Sequence, residues 1–555
     1  MLRFRTFAPL AMLWCACCGA GRTEEFAEIQ AKIVSFRLDN GLTVILYPRG
    51  DAPVIACVTY VRAGSVDEQA GSTGIAHQLE HLAFKGTPNI GTKNYAAEKA
   101  AFAGIDTLYD EILACEKDLA PDVRDGFLSL LAQAASTGGG GRVEQQFAAL
   151  SGKWEKSGAA LKAETKAALA RYLQAYAEKV KQADEYVEPN QYANVVDRNG
   201  GVGLNAFTSN DRTVYHVSLP ANKLELWAAL ETDRYLNTVP RQLEKEKQVV
   251  LEERRMRTET SAFGKLYEAF LGKAFQVHPY GIQVIGKRED ILSYTREKVL
   301  GFYRSNYVPA NTIVAVTGDL DVPAARKLLT EYFGRVPKAP APERTIRLEP
   351  PQDGERRVQV EFPAQPILVL GYHIPERNHA DTPALVVLDE IATSGRASRL
   401  YTRLVKTRKA NSVGSWLGPG ARYPRLFLFS AEPPEGAGTE ELEASLLAEI
   451  EKLKIEPPTK EELQRVITRY RADVLRSLKS NLGLAQELAD YQGLSGDWRN
   501  LFRDIERVSA VRPEQVTAAA AKYLTKENRT AGRLVPLGTV GAEAGPESIF
   551  GVKVK

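Results

Sequence analysis

Between residues 33 and 63 apolar and polar positions alternate in short runs broken by turns. Ile33–Leu38 and Thr43–Tyr47 flank Asp39-Asn40-Gly41, a hairpin signal. Val54–Val61 is a continuous apolar run of strand length that ends at Ala63-Gly64-Ser65. Three strands leading into a helix predict an α+β domain with a mostly antiparallel sheet. From 95 to 187 the period changes. Phe102, Ile105, Leu108 and Ile112 recur at helical spacing, as do Phe147, Leu150, Trp154, Leu161, Leu169, Tyr172, Tyr176 and Val180. Pro121 and the run Gly138–Gly141 interrupt the pattern, which predicts a helical hairpin or small antiparallel coiled coil with a flexible glycine hinge.

After Pro189 the sheet pattern resumes. Gly200–Thr208 reads as a turn into a strand, Thr213–Leu219 and Thr312–Gly318 as further strands, and Ala324–Phe333 as a helix. Pro337, Pro340, Pro342, Pro350 and Pro351 then mark a linker. Beyond it the order repeats. Val358–Phe362 and Ile367–His373 are predicted strands, and Pro383–Ser394, Thr459–Ser477 and Pro513–Tyr523 predicted helices. The chain divides into a half at 24–335, with a helical insertion at about 95–187, a linker at 336–354 and a second half at 355–555.

Composition narrows the setting. A net charge of +3 gives no reason to expect nucleic acid or an anionic membrane as partner. Residues 1–20 read as a secretory signal, with Arg3 and Arg5 ahead of an apolar core, Phe7–Cys18, and small residues Gly19, Ala20 and Gly21 at the cleavage region. The expected location is therefore secreted, in the periplasm, with lipid attachment through Cys15, Cys17 or Cys18 left open. No later stretch approaches the ~18 unbroken apolar residues of a transmembrane helix. Cys57 and Cys115 remain after cleavage, each expected as a buried, inert thiol, and no disulfide framework is implied.

The chemistry concentrates in His77-Gln78-Leu79-Glu80-His81. Histidines four apart share a helix face, with Cβ atoms about 6 Å apart, close enough to bind one metal ion. Glu80, three residues after His77, points to the same side. Two neutral imidazoles can hold a catalytic zinc, and a nearby carboxylate can take a proton from water at the metal. The order H-x-x-E-H inverts H-E-x-x-H and marks the inverted zinc peptidases. At this chain's histidine and glutamate content, fewer than about 0.01 chance matches are expected.

With its flanks, Gly74-Ile75-Ala76 before and Leu82-Ala83-Phe84-Lys85-Gly86-Thr87 after, the run resembles the active-site helix of the pitrilysin–insulinase peptidases, which include the mitochondrial processing peptidases. The resemblance covers most of 30–535, more weakly in the second half. It implies two homologous α/β sandwich halves in a clamshell, one zinc per chain in the first half, and extended or unfolded peptides as substrates. Val249-Val250-Leu251-Glu252-Glu253 matches the family's distal ligand run, which selects Glu253 as the third ligand and Glu246 as outer support, with Glu252 as fallback. Glu80 is then the base. Asn205 and Ala206 fall on the sheet edge where the family lays its substrate, although a plain hairpin explains the local pattern equally well. His278, in His278-Pro279-Tyr280-Gly281, is read as structural. The gap from His81 to Glu253 exceeds the family's by about the length of the 95–187 stretch, hence the insertion.

The second half has Leu388-Asp389-Glu390 at the site-equivalent helix and reads as metal-free. Active relatives place an arginine and a tyrosine seven residues apart in this half, where Val405 and Ser412 stand here. Arg408 or Tyr401 could substitute, or a separate homologous partner subunit could supply the pair; a homo-oligomer is the other assembly left open. The alternative to an endopeptidase is a non-catalytic or weakly active scaffold subunit. No G-x-S-x-G elbow supports a serine hydrolase.

Overall fold

Alternation along six strands gives the first half a sheet that is apolar on both faces. In the computed structural model, residues 26–537 are described except 116–118, 138–139 and 160, so the predicted signal at 1–20 lies outside the described residues. After a short helix α1 (26–32) come β1 (Val34–Arg37), β2 (Thr43–Pro48), β3 (Val54–Val61) and α2 (Ile75–Ala83). The stretch beyond folds as α3 (Tyr95–Cys115), α4 (Pro121–Thr137), α5 (Gly140–Lys156) and α6 (Ala163–Asp184). Then follow α7 (Gln191–Arg198), β4 (Val202–Thr208), β5 (Thr213–Pro220), α8 (Leu224–Asn237), α9 (Leu243–Arg254) and α10 (Ala262–Ala274). The half closes with α11 (Arg288–Leu292), α12 (Arg296–Asn306), β6 (Thr312–Gly318) and α13 (Val322–Phe333).

The sheet order is β1-β2-β6-β3-β5-β4, antiparallel except for β2 against β6. Residues 337–353 carry no helix or strand. The second half then runs β7 (Arg356–Glu361), β8 (Ile367–Ile374), α14 (Thr382–Thr393), β9 (Ser412–Gly418), β10 (Arg425–Glu432) and α15 (Thr439–Ile455). It ends with α16 (Lys460–Lys479), α17 (Asn481–Ser495), α18 (Asn500–Ser509), α19 (Pro513–Tyr523) and β11 (Arg529–Val535). Its sheet order is β7-β11-β8-β10-β9, again with one parallel pair, β7 and β11. With β1 set aside the two sheets correspond strand for strand, so the halves are homologous α+β layers.

Successive strand residues face opposite sides, and this sorts the core. Val44, Leu46, Cys57, Val314 and Val316 pack under Trp227 of α8 and Leu329 and Phe333 of α13. The opposite face, with Ile45, Val58, Tyr60, Val214 and Ala315, is covered by Leu484 and Leu488 of α17 and Phe502 of α18. Those two helices belong to the second half. The loan is returned, because Leu266, Phe270 and Leu271 of α10 cover Val369, Leu428 and Val358 of the second sheet. Close approach makes both loans possible. A Cβ on Gly371 would meet the Phe270 ring at 2.7 Å, and one on Gly493 of α17 would overlap the Tyr60 ring.

Two expectations are corrected. The 95–187 stretch is a four-helix body rather than a hairpin, and its core is continuous with the domain: Phe102, Leu131 and Tyr176 share one cluster with Leu79 and Leu82 of α2 and Val250 and Leu251 of α9. Of the glycine run read as a hinge, Gly138 and Gly139 lie outside the described residues, and Gly140 opens α5. Cys115 is exposed, near the Tyr172 hydroxyl at 3.6 Å, because it sits on the outward side at the end of α3; Cys57 is buried as expected. Gly493→Val should lower stability by about 1–3 kcal/mol through overpacking against Tyr60, measured by urea denaturation. An unchanged midpoint would show that α17 does not press on the first sheet.

Candidate metal and active site

The site helix α2 begins at Gly74, whose φ of +88° turns the chain beneath Ile285; a side chain there would meet the Ile285 carbonyl at 2.5 Å. Its free N–H groups are capped from outside by Glu68, which accepts from Gly74 at 2.7 Å and Ala76 at 2.9 Å, a carboxylate at the positive end of the helix. Nine residues of α2 then carry His77, Glu80 and His81 onto one face beside α9.

There the rings of His77 and His81 stand 4.8 Å apart, nearly perpendicular. Glu253 Oε2 lies 3.8 Å from His77 Nε2 and 3.5 Å from His81 Nε2. These separations are long for hydrogen bonds but near the ~3.3–3.4 Å between neighbouring donors around a tetrahedral zinc. Among the described residues His77, His81 and Glu253 form one group able to hold a metal, their ligand atoms within 4.8 Å of one another. Glu252, one residue away, is exposed and paired with Arg255 at 2.6 Å. Glu246 sits behind His81, 3.4 Å from Nδ1, and is itself held by Lys85 at 2.6 Å; Arg257 holds the other Glu253 oxygen at 2.8 Å.

Electrostatics suit a cation. Burial, then the neighbouring His81, holds His77 down at about 4, so its ring is neutral and its lone pair free. Burial also opposes charge on His81, yet the carboxylates of Glu246 and Glu253 beside it outweigh it and raise the ring to about 9. Without a metal, a proton on His81 thus occupies the place between the carboxylates. Because this pKa is raised above 6.5, the stability it contributes is full below about pH 6.5 and is lost as pH rises through about 9. Burial raises the Glu80 carboxyl from its ordinary value, with the Thr208 hydroxyl, donating at 2.6 Å, pulling it partly back.

Glu80, His81, Asn205 and Ala206 line a cleft of about 360 Å³, together with Lys85, Gln242 and the 187–190 loop. Asn205 and Ala206 pair with His216 and Tyr215 on β5, so their other edge has no strand beside it in the sheet. No residue of the second half lines this cleft. His278 is buried between Phe275, Tyr280 and Tyr423, its Nδ1 accepting from the Tyr280 N–H.

Sequence reasoning did not single out Thr208 or Arg241. Arg241, 1% exposed, donates to the carbonyls of Lys85 (2.6 Å), Thr87 (3.0 Å) and Ile90 (3.1 Å) and to Glu98 (2.9 Å), tying the loop after α2 to the start of α9 and to α3. Arg257 had a legible signal, lying four residues past Glu253, with which it pairs.

Comparison with known proteins identifies the family. The model of the insulinase family, peptidase family M16, matches residues 44–108, and that of the peptidase M16 inactive domain matches 293–470. The zinc protease PqqE of Helicobacter pylori is 32% identical over 343 residues, covering 59% of this chain and 76% of the relative. The chain belongs to the M16 peptidase family. An uncharacterized zinc protease of Mycobacterium leprae is 30% identical over 353 residues, 60% of this chain and 76% of that relative. The crystal structure of a protease from Helicobacter pylori superposes with a TM-score of 0.69 at 26% identity, covering 91% of this chain and all of the other. The insulinase-family match contains α2, and the inactive-domain match runs from just ahead of α12 into the second half.

Two outcomes follow from the geometry. Glu253→Ala should abolish binding of a divalent ion while Glu252→Ala retains it, read by metal content after dialysis; the reverse would put the ligand one residue off. Metal uptake at pH 7 should release close to one proton, displaced from His81, measured by calorimetry in buffers of different ionisation enthalpy. Uptake without proton release would contradict a protonated His81.

Proposed function

We propose that the chain is a secreted, periplasmic zinc endopeptidase acting on extended or unfolded peptides. The observation that carries this is the convergence of His77, His81 and Glu253, with Glu80 beside them, next to an open sheet edge. The donor set, two nitrogens and one carboxylate with a position left over, is that of a catalytic zinc, one per chain. Zinc held there supplies a Lewis acid for a peptide carbonyl and acidifies water.

The protein's own residues do the rest. An extended peptide adds to β4 as a further strand, its backbone bonding to the free edge at Asn205 and Ala206. Glu80 takes the proton of the attacking water and passes it to the leaving amine. Its burial raises its proton affinity toward the working range, and Thr208 fixes which way the carboxylate points. Glu246 orients His81 through Nδ1 and so keeps its other nitrogen toward the shared centre.

A two-subunit arrangement is favoured by one further observation. Val405 has no side-chain donor and Ser412 offers a single hydroxyl where an arginine–tyrosine pair is expected, and among the described residues the cleft has no lining residue from the second half. A homologous partner subunit that carries the pair therefore supplies the stabilising donors, and the isolated chain is a weak enzyme.

Glu80→Gln should keep zinc and lose peptide cleavage by at least ~100-fold, followed with a quenched fluorescent peptide and metal analysis; full activity in that variant would remove Glu80 as the base. Cleavage by the purified chain should be weak and rise on adding the partner. Strong cleavage by a chain shown to be monomeric would exclude the partner, and its loss in Arg408→Ala would then identify the substitute.

A further inference from the structure

Away from the metal site, the second half encloses a cavity of about 260 Å³ between α14, the adjoining ends of β9 and β10, α16, α17 and α18. One wall is apolar, made by Val386, Leu417 and Val508; the other presents Arg377 and Arg425. Arg425 is only 8% exposed, yet no carboxylate pairs with it among the described residues. Its Nε has no hydrogen-bond partner, and its Nη1 reaches only the Gly420 carbonyl, at 3.3 Å. A buried guanidinium normally has a hydrogen-bonded anion against it.

The neighbouring acids are already engaged. Asp490 serves two cations, Arg377 at 2.7 Å and Arg212 at 2.6 Å. Asp504 is paired with Arg507 at 3.1 Å. Asp389 is turned to the Ser415 hydroxyl and burial pushes its carboxyl up to about 6, while burial likewise raises Glu487. Arg425 is therefore the guanidinium of this cavity that has no ion pair among the described residues, with hydrocarbon on the side opposite.

We propose that this cavity binds a small organic carboxylate with an apolar side chain, such as the C-terminal residue of a peptide. The carboxylate lies on Arg425 and Arg377, where two guanidinium forks match its geometry, and the side chain lies against Val386, Leu417 and Val508. Inorganic phosphate satisfies the arginines but leaves the apolar wall uncovered, so it binds more weakly.

The test uses the full mature chain carrying Glu80→Gln, so that no peptide is turned over. N-acetyl-L-leucine, acetyl-Ala-Ala-Ala-Leu, N-acetyl-L-leucinamide and inorganic phosphate are titrated by calorimetry. The acid should bind saturably, and the amide and phosphate at least tenfold more weakly. Arg425→Gln should weaken the acid at least tenfold. Val386→Trp, which fills the cavity and leaves both arginines, should do the same and serves if the arginine variant does not fold. Saturation by both acids makes the ligand a peptide C-terminus, and saturation by the single residue alone makes it a free acid. Equal binding of acid and amide, equal binding of phosphate, unaltered binding in both variants, or no saturable binding at millimolar acid would each overturn the site.

Discussion

The site depends on a guanidinium that never touches it. His77 and His81 arrive on α2 and Glu253 on α9, separated by six helices and two strands of chain, and the three donors must meet within a few ångströms. Arg241 makes that meeting reproducible. Its donors bind three carbonyls of the loop that leaves α2 and the Glu98 carboxylate of α3, and its backbone immediately precedes α9. A charge this buried is tolerable only because nearly every N–H is used. The same feature fixes where the four-helix body attaches. Its two ends are closed by a bridge between Thr92 and Val187, and its core runs into that of α2 and α9. The body is thus a buttress for the ligand helix, even though its amino acids interrupt the motif's normal spacing.

Much of this was legible in the sequence because local periodicity and motif spacing are short-range properties. The strands at Val54–Val61 and Thr312–Gly318 coincide with the predicted runs, and the repeated element order of the second half is visible in its sheet. The spacing of His77, Glu80 and His81 sufficed to put them on one helix face. Choosing Glu253 over Glu252 needed the family likeness, since both lie on one amphipathic turn; in the structure Glu253 faces the histidines and Glu252 faces water. What stayed hidden was long-range. Thr208 meets Glu80 only after β4 docks beside α2, and Arg241 reads as one more surface arginine until its partners assemble. Cys115 failed for the opposite reason: an apolar neighbourhood in sequence says little about which side of a helix end faces solvent.

The electrostatic character of the site follows from crowding carboxylates around imidazoles in a poorly solvated place. Glu246 and Glu253 favour a positive charge between them, while burial disfavours one on His77. The arrangement is poised to hold one cation and to choose among proton and metal by pH. Glu80 stands outside that competition, raised by burial and steadied by a hydroxyl. The second half repeats the hydroxyl-to-carboxylate contact in Ser415 and Asp389, but among the described residues no group of metal-ligating side chains forms there.

The traded helices have a consequence for how the molecule comes apart. Each sheet has one apolar face whose cover is encoded on the far side of the linker: α17 and α18 for the first, α10 for the second. A gene cut at residues 337–353 would yield two fragments, each with a bare sheet face and an orphaned greasy helix. Each half thus completes the core of the other, and the linker joins two parts that are already held together by their shared cores.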